Sequence, residues 1–254
     1  MKKISTILIA IIASQIALCG YGRDGAKKFD ISDNITVMQL TDNLYLYTAT
    51  EQIGEWGLVP SNGMIAADGE TAYMLDTPMS ETATRQIVEW VREALGAKIT
   101  GFIANHWHGD CIGGLHYLHS AGTVSYASDK TIAECNARGI EAPQQAFADT
   151  LTLYAGSVEM QLFYPGGAHA RDNIVVWFPA ENILFAGCMV KDLEAESLGN
   201  TEDASLEEWP GTMQTLLDKY PSDAVVIPGH GAPGGTELIR HTITLLQKSP
   251  SLHP

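Results

Sequence analysis

Residues 99–114 read ITGFIANHWHGDCIGG, and this stretch decides how the chain is interpreted. Its first half continues an apolar run that begins at Ala97, which predicts a buried strand. Directly after that run, His106, His108 and Asp110 stand at every second position. Alternate side chains of an extended segment project to one side, so the two imidazoles can share one cation while the carboxylate reaches a neighbouring one. The spacing therefore indicates a metal site at the end of a strand.

Three further candidate ligands follow, each where a predicted strand runs into a loop. They are His169 in GGAHARDN, Cys188 in FAGCMV and His230 in IPGHG. Taken singly, the His-x-His pair reads as a polar loop, Cys188 as a buried structural thiol and His230 as a turn histidine. Six such side chains at strand ends favour one shared site. Zinc accepts imidazole, thiolate and carboxylate together, so it is the expected metal.

The apolar pattern outside these motifs predicts strands followed by helices, twice. Residues 31–76 alternate as antiparallel hairpins do, and a helix capped by Ser80 follows through Leu95. The later elements are short helices at 113–120 and 129–138, strands between 150 and 186 and at 224–227, and helices at 206–219 and 236–246. Two similar halves packed as a sandwich fit this order.

The N-terminus places Lys2 and Lys3 before an apolar run, which at about 15 residues is too short for a stable membrane span. We interpret residues 1–20 as a secretory signal peptide rather than a buried helix, because the run lacks a polar face and ends in small residues. Cys19 leaves a lipid anchor open as an alternative. The remaining residues, 21–254, are long enough for a single large domain, and export predicts a periplasmic location.

Charge and cysteine content exclude some classes of function. The formal net charge of the 254 residues is −15, and removal of Lys2 and Lys3 takes it to −17. No basic patch is available for phosphates, so nucleic acid is not an expected partner. Three cysteines remain after the signal, Cys111, Cys135 and Cys188. An odd number in an oxidising compartment predicts that at least one has a role other than pairing.

The combined motifs resemble those of the metallo-β-lactamases. They are His-x-His-x-Asp at 106–110, Gly-x-His before DNIVVW, GCMVK followed by GN, and PGHG. Specifically, they resemble the broad-spectrum subclass with a three-His zinc site and an Asp-Cys-His zinc site, over residues 31–246. The resemblance implies the α/β class, with an αβ/βα four-layer sandwich, and a single metallo-β-lactamase domain over residues 21–254.

The resemblance also implies roles for individual residues. Two zinc ions are implied, the first bound by His106, His108 and His169 and the second by Asp110, Cys188 and His230. Asp110 and Asn200 are the implied catalytic side chains, with Asn200 helping to polarise the lactam carbonyl as an oxyanion donor. Lys191 matches the position that pairs with the carboxylate common to β-lactams. Trp56, in the segment EQIGEWG, matches a mobile hairpin that covers the substrate.

The implied activity is zinc-dependent hydrolysis of the β-lactam amide bond of penicillins, cephalosporins and carbapenems, which gives antibiotic resistance. A monomer without a stable protein partner is expected. The alternatives are another exported hydrolase of the same fold, acting on lactones or thioesters, and a non-catalytic zinc-binding protein. Those hydrolases usually carry a histidine where this chain has Cys111 and an aspartate where it has Cys188. Three protein ligands for each zinc, rather than four, leave room for water and favour catalysis.

Many members of the subclass carry a basic residue at the position of Cys111. We expect the thiol to lie behind the metal ligands, and its contribution to the affinity of the second zinc stays open. The remaining histidines, His116, His119, His241 and His253, are interpreted as ordinary surface or packing residues, and Cys135 as a packing residue.

Overall fold

The computed structural model describes residues 27–249. The interpretations of residues 1–20 as a signal peptide and of Cys19 as a lipid-anchor site concern a part of the chain outside these residues. His253 also lies outside them. No helix within residues 27–249 is both long enough and apolar enough to cross a membrane.

The first sheet follows chain order from its first strand to its eighth. Its strands are β1 (Lys28–Ser32), β2 (Ile35–Gln39), β3 (Leu44–Ile53), β4 (Gly57–Asp68), β5 (Thr71–Leu75), β6 (Lys98–Ile103), β7 (Val124–Ser128) and β8 (Gln145–Phe147). Pairing is antiparallel from β1 to β5 and parallel from β5 to β8. The antiparallel part agrees with the hairpins predicted from alternating side chains.

The second sheet has five strands in the order β13-β12-β11-β10-β9. They are β9 (Thr150–Ala155), β10 (Val158–Phe163), β11 (Val175–Phe178), β12 (Ile183–Gly187) and β13 (Val225–Pro228). β12 and β13 are parallel neighbours, and Gly187 pairs with Pro228 at their carboxyl ends. Residues that follow these two strands therefore meet at one edge of the sheet.

Six α-helices occur within the described residues. They are α1 (Glu81–Ala94), α2 (Gly109–Ile112), α3 (Leu115–Ser120), α4 (Asp129–Arg138), α5 (Trp209–Lys219) and α6 (Glu237–Lys248). The Ser80 hydroxyl accepts a hydrogen bond from the Ala83 N–H at 3.2 Å, as predicted for the cap of α1. Gly139 ends α4 in the left-handed conformation, with φ of 65°.

Three buried apolar clusters define four layers. In the first, Ile87 of α1 packs with Phe102 of the first sheet. In the second, Met64 of the first sheet packs with Phe185 of the second. In the third, Val226 of the second sheet packs with Leu216 of α5. The order helix, sheet, sheet, helix confirms the predicted αβ/βα sandwich.

The two halves differ more than the sequence pattern indicates. The strands β7 and β8 were not predicted, and they extend the first sheet to eight strands against five in the second. The helix predicted at 113–120 is α3, which begins at Leu115, and a further short helix that was not predicted, α2, precedes it and is separated from it by Gly113 and Gly114. A Cβ on Gly113 would lie 2.2 Å from the Met79 carbonyl oxygen, so close packing against that backbone requires a glycine there.

Candidate metal centre

Three imidazoles face one another at the carboxyl end of β6. His106 and His108 lie in the loop that follows the strand, and His169 lies in the loop between β10 and β11. His108 Nδ1 is 3.0 Å from His106 Nε2 and 3.2 Å from His169 Nε2. Nitrogens about 2.05 Å from one tetrahedral zinc stand roughly 3.3 Å apart. The spacing of these three ring nitrogens therefore fits a single zinc ion.

The outer nitrogens of two of these rings are held by oxygen acceptors. His106 Nδ1 is 3.0 Å from Asn105 Oδ1, and His108 Nε2 is 3.0 Å from Asp203 Oδ2. An acceptor on one ring nitrogen fixes the proton there and leaves the other nitrogen free as a ligand. The neutral form that a metal requires is favoured further because burial, together with neighbouring His108, lowers the pKa of His106 to about 3.

His169 is also buried, and burial together with the nearby Lys191 ammonium holds its pKa well below the ordinary value. Its Nδ1 is buried without a hydrogen-bond partner among the described residues. The ring packs edge-on against Trp209, with centroids 6.2 Å apart. The Ala170 N–H donates to Asn173 Oδ1 at 2.6 Å, and this contact fixes the loop directly after His169.

A second group of ligands lies beside the first. His230 Nε2 is 3.2 Å from Asp110 Oδ2 and 3.4 Å from Cys188 Sγ. Cys188 follows β12 and His230 follows β13, so the parallel pairing of these strands brings the two residues together. The outer nitrogen of His230, Nδ1, lies 2.8 Å from the Pro60 carbonyl oxygen, which leaves Nε2 directed at the carboxylate and thiolate.

The electrostatics of this second group favour a cation between its members. Burial opposes ionisation of Asp110, but the His230 hydrogen bond and nearby imidazoles hold its pKa far below the ordinary value. A hydrogen bond from Cys111 outweighs burial and brings the pKa of Cys188 down to about 6. Burial lowers the pKa of His230, but Cys188 and Asp110 outweigh it and raise that pKa well above the ordinary value. A carboxylate and a thiolate facing one point suit a divalent ion.

The two groups adjoin each other. His106, His169 and Cys188 each offer a ligand atom within 4.8 Å of the other two, and so do Asp110, Cys188 and His230. Cys188 therefore belongs to both sets. Mixed nitrogen, sulfur and oxygen donors of this kind are typical of zinc rather than of calcium or magnesium, which prefer oxygen ligands alone. The residues present fit two neighbouring zinc ions.

Cys111 lies behind the ligands, as expected. The thiol is buried, and its Sγ is 3.2 Å from His106 Nδ1, the nitrogen that points away from the other two imidazoles. Burial and a hydrogen bond to Cys188 raise the pKa of Cys111 well above the ordinary value. Cys111 therefore stays a neutral thiol that donates toward Cys188 and favours the thiolate there.

Lys191 lies at the edge of both groups. It is half-buried, and its Nζ is 5.7 Å from the centre of the Trp209 ring. Burial lowers the pKa of its ammonium, while Cys188 and Asp110 act in the opposite direction. The backbone N–H of Lys191 donates to Thr242 Oγ1 of α6 at 2.8 Å, which anchors this end of the loop. An ammonium in this position can attract a carboxylate.

The remaining sequence-predicted site residues lie on the surface. Asn200 is exposed, and its Oδ1 accepts a hydrogen bond from the Glu202 N–H at 3.0 Å, within its own loop. Trp56 is 65% exposed on a 3-10 turn between β3 and β4, next to Leu58, which is 71% exposed. Such apolar exposure at a hairpin tip is typical of a binding surface.

Four residues that support the ligands were missed by sequence analysis: Asn105, Asp203, Pro60 and Asn62. Asn62 donates to the carbonyl oxygens of Pro228 and Gly231, at 3.0 Å and 2.8 Å, and so holds the turn that carries His230. A polar residue before His106 offered a weak signal for Asn105. Nothing in the local sequence marks Asp203, Pro60 or Asn62 as supporting residues, because the residues that they contact are distant along the chain. His116 and His119 pair with Glu141, away from the site.

Comparison with known proteins agrees with this geometry. Residues 56–230 match the family described as the metallo-beta-lactamase superfamily. The chain belongs to this family. A metallo-beta-lactamase type 2 of Bacteroides fragilis is 50% identical over 216 residues, which cover 85% of this chain and 87% of the relative. A metallo-beta-lactamase type 2 of Pseudomonas aeruginosa is 32% identical and covers 95% of this chain and 92% of its own length.

Solved structures show the same fold. A metallo-beta-lactamase from Pontibacter korlensis superimposes with a TM-score of 0.81 at 33% identity, over 85% of this chain and all of its own. The mono-zinc form of a metallo-beta-lactamase from Pseudomonas aeruginosa gives a TM-score of 0.80 at 29% identity, over 89% of this chain and 99% of its own. The four-layer arrangement is therefore that of the family.

Proposed function

We propose that this protein hydrolyses the amide bond of β-lactams with two zinc ions. The observation that carries the proposal is the pair of adjoining ligand groups, one of three histidines and one of aspartate, cysteine and histidine. Cys188 of the second group also offers its Sγ within 4.8 Å of ligand atoms of His106 and His169 in the first. Each group offers three protein ligands, whereas closed structural zinc sites have four. The 50% identity to a metallo-beta-lactamase type 2 of Bacteroides fragilis supports the substrate class.

The roles of the ligands follow from their contacts. His106, His108 and His169 hold the first zinc, and Asp110, Cys188 and His230 hold the second. When bound, zinc lowers the pKa of a coordinated water to about 7 and stabilises negative charge on substrate atoms. The acceptors Asn105 and Asp203 keep the histidine protons away from the metal.

The substrate is bound by residues beside the ligands. Lys191 pairs with the carboxylate of the β-lactam and thereby orients the ring over the site. Asn200 donates a side-chain amide N–H to the lactam carbonyl oxygen. Trp56 and Leu58 cover the apolar part of the substrate and exclude water from it.

We also propose a cellular setting for this activity. The chain is exported to the periplasm with residues 1–20 removed as a signal peptide, and it acts as a monomer on penicillins, cephalosporins and carbapenems. The short apolar run behind Lys2 and Lys3 supports export. The mature protein then protects the cell by destroying these drugs before they reach their targets.

The test is hydrolysis of a carbapenem by the purified mature protein, followed by ultraviolet absorbance. Turnover that stops with a chelator and returns with added zinc supports the proposal. Failure of a protein shown by elemental analysis to hold two zinc ions to hydrolyse a penicillin, a cephalosporin or a carbapenem would overturn it. Assays on a lactone and a thioester, run beside these, detect the other hydrolases of the fold.

A further inference from the structure

We propose that Arg138, at the C-terminal end of α4, is a positioning residue for the zinc ligand His108 and acts through Asp203. This inference rests on the proposed zinc site and extends it to a helix that carries none of the ligands. Arg138 follows β7, and Asp203 lies in the segment between β12 and α5. The two residues are far apart along the chain, and their side chains meet beside His108.

The Asp203 carboxylate is shared between the ligand and the arginine. Its Oδ2 is 3.0 Å from His108 Nε2, and its Oδ1 is 3.2 Å from Arg138 Nη2. A carboxylate on the outer nitrogen of a metal-binding histidine fixes both the tautomer and the direction of the ring. Asp203 does this only if its own orientation is fixed, and Arg138 holds the oxygen that His108 leaves free.

Asp203 needs such an anchor because its segment has no helix or strand. The loop from 188 to 208 contains only turns and bends, and the Asp203 side chain is 27% exposed. A carboxylate on such a segment has several rotamers available, and fixing one of them costs conformational entropy. A guanidinium that is already immobilised lowers that cost for Asp203.

Arg138 is itself held on two further sides. Glu134, one helical turn earlier, forms an ion pair with it. Its guanidinium carbon is 3.7 Å from the centre of the Trp107 ring, and that ring lies edge-on to His108 with centroids 4.5 Å apart. Planar arginine stacks on an aromatic face while pairing with a carboxylate, a combination that lysine does not reproduce. The contacts therefore close a ring of four side chains, His108, Asp203, Arg138 and Trp107.

The N-terminal end of α4 is linked, through Asp172, to the segment that contains His106 and His108. The Ser128 hydroxyl, which caps α4, donates to the Asp172 carbonyl oxygen at 3.1 Å. Asp172 Oδ2 in turn accepts the Trp107 N–H at 2.9 Å. Helix α4 thus braces the segment containing His106 and His108 from both ends, and Arg138 reaches His108 through Asp203 and Trp107.

The alternative is a half-exposed ion pair without influence on the metal, since such pairs contribute about 0–1 kcal/mol to stability. The test compares Arg138→Ala and Arg138→Lys with Asn136→Ala, a control at an exposed position of the same helix. Zinc affinity of the metal-free proteins is measured by competition with a chromophoric chelator. The cobalt-substituted proteins are compared by visible absorption, and thermal unfolding of the metal-free proteins monitors the fold.

We expect Arg138→Ala to lower the affinity for one of the two zinc ions by roughly tenfold. Loss of the partners behind a metal ligand typically costs 10–100-fold in affinity. The ligand-field bands of cobalt should shift, while the charge-transfer band from the Cys188 thiolate stays unchanged. Arg138→Lys should recover part of the affinity, and Asn136→Ala should match the parent.

Zinc affinity and cobalt bands of Arg138→Ala equal to those of the parent would overturn the inference. The inference would also be overturned if the affinities for both zinc ions fell equally and the metal-free protein unfolded at a lower temperature. That result would show a general structural role. Failure of the proposed function is distinguishable from both, because in that case the parent protein itself binds no zinc or hydrolyses no β-lactam.

Discussion

At the scale of single residues, Cys188 is a ligand of the second group that also lies beside the first. Its Sγ is within reach of His230, and a hydrogen bond from Cys111 favours its thiolate. Serine keeps the size of the side chain, but its hydroxyl does not ionise near neutral pH and is a poor ligand for zinc. Replacement at this position therefore tests the assignment of the second metal.

We expect Cys188→Ser to lose the second zinc and to lower kcat/KM by at least about 100-fold, because ligand loss exceeds the effect of losing supporting contacts. Elemental analysis and steady-state kinetics measure these effects. Cys135→Ser is the matched control, since Cys135 is also a buried thiol but belongs to no metal-binding group in residues 27–249. A Cys188→Ser protein with one zinc and the activity of the parent would show that the second metal is assigned wrongly.

Lys191 offers a test of substrate binding that leaves the metals in place. Lys191→Ala should raise KM for carboxylate-bearing β-lactams by roughly 10–100-fold, because a charged hydrogen bond contributes about 1.5–3 kcal/mol. The value of kcat should change much less, since the interaction is made in the ground state as well. Steady-state kinetics on a substrate and on its methyl ester separate the effects. An equal rise in KM for the ester would contradict a carboxylate partner.

At the scale of elements, the turn after β13 has little freedom to change. A Cβ on Gly229 would lie 2.3 Å from Cys188 Sγ and 2.6 Å from the Cys188 backbone nitrogen. Backbone cannot yield as a flexible side chain does, so Gly229→Ala must displace either the turn or β12. Both changes separate the ligand Cys188 from His230.

Gly229→Ala should therefore weaken the second zinc and destabilise the fold by about 1–3 kcal/mol, the usual cost of overpacking. Denaturant unfolding of the metal-free protein and chelator competition measure the two effects. Gly211→Ala is the control, because no atom lies within 4 Å of its added Cβ in α5. That substitution should stabilise the helix by up to about 1 kcal/mol. Unchanged zinc affinity in Gly229→Ala would mean that the turn tolerates the extra methyl group.

The sequence predicted the helices, most strands and the metal ligands, but it did not predict the residues that support those ligands. Helices α1 and α4 were predicted to within a residue or two. Ser80 caps the first as expected, and the structure adds that Gly139 ends the second. β8 was missed, since its three residues carry too little periodicity to register. The ligands were found because strand ends in parallel sheets converge, whereas Asp203 and Arg138 were not, since their contact depends on how a long loop crosses α4.

At the scale of the whole molecule, zinc should stabilise the fold because the ligands converge only when both sheets are docked. At free zinc about 100 times the dissociation constant, the stabilisation is about 2.7 kcal/mol for each zinc bound. For a domain of this size that corresponds to a rise of roughly 5–10 °C in the unfolding temperature. Calorimetry with and without zinc measures it. Magnesium, which prefers oxygen ligands, is the control and should give no rise; an equal rise with both metals would indicate a nonspecific ionic effect.

The distribution of ligands between the two sheets also bears on the order in which the molecule is assembled. Two histidines follow β6, one follows β10, and the Asp-Cys-His group is completed only by the turn after β13. A growing chain that has not yet reached β13 contains every ligand of the first group but not of the second. The number of metal ions bound by successively longer chains is therefore a readout of how far the second sheet has been built.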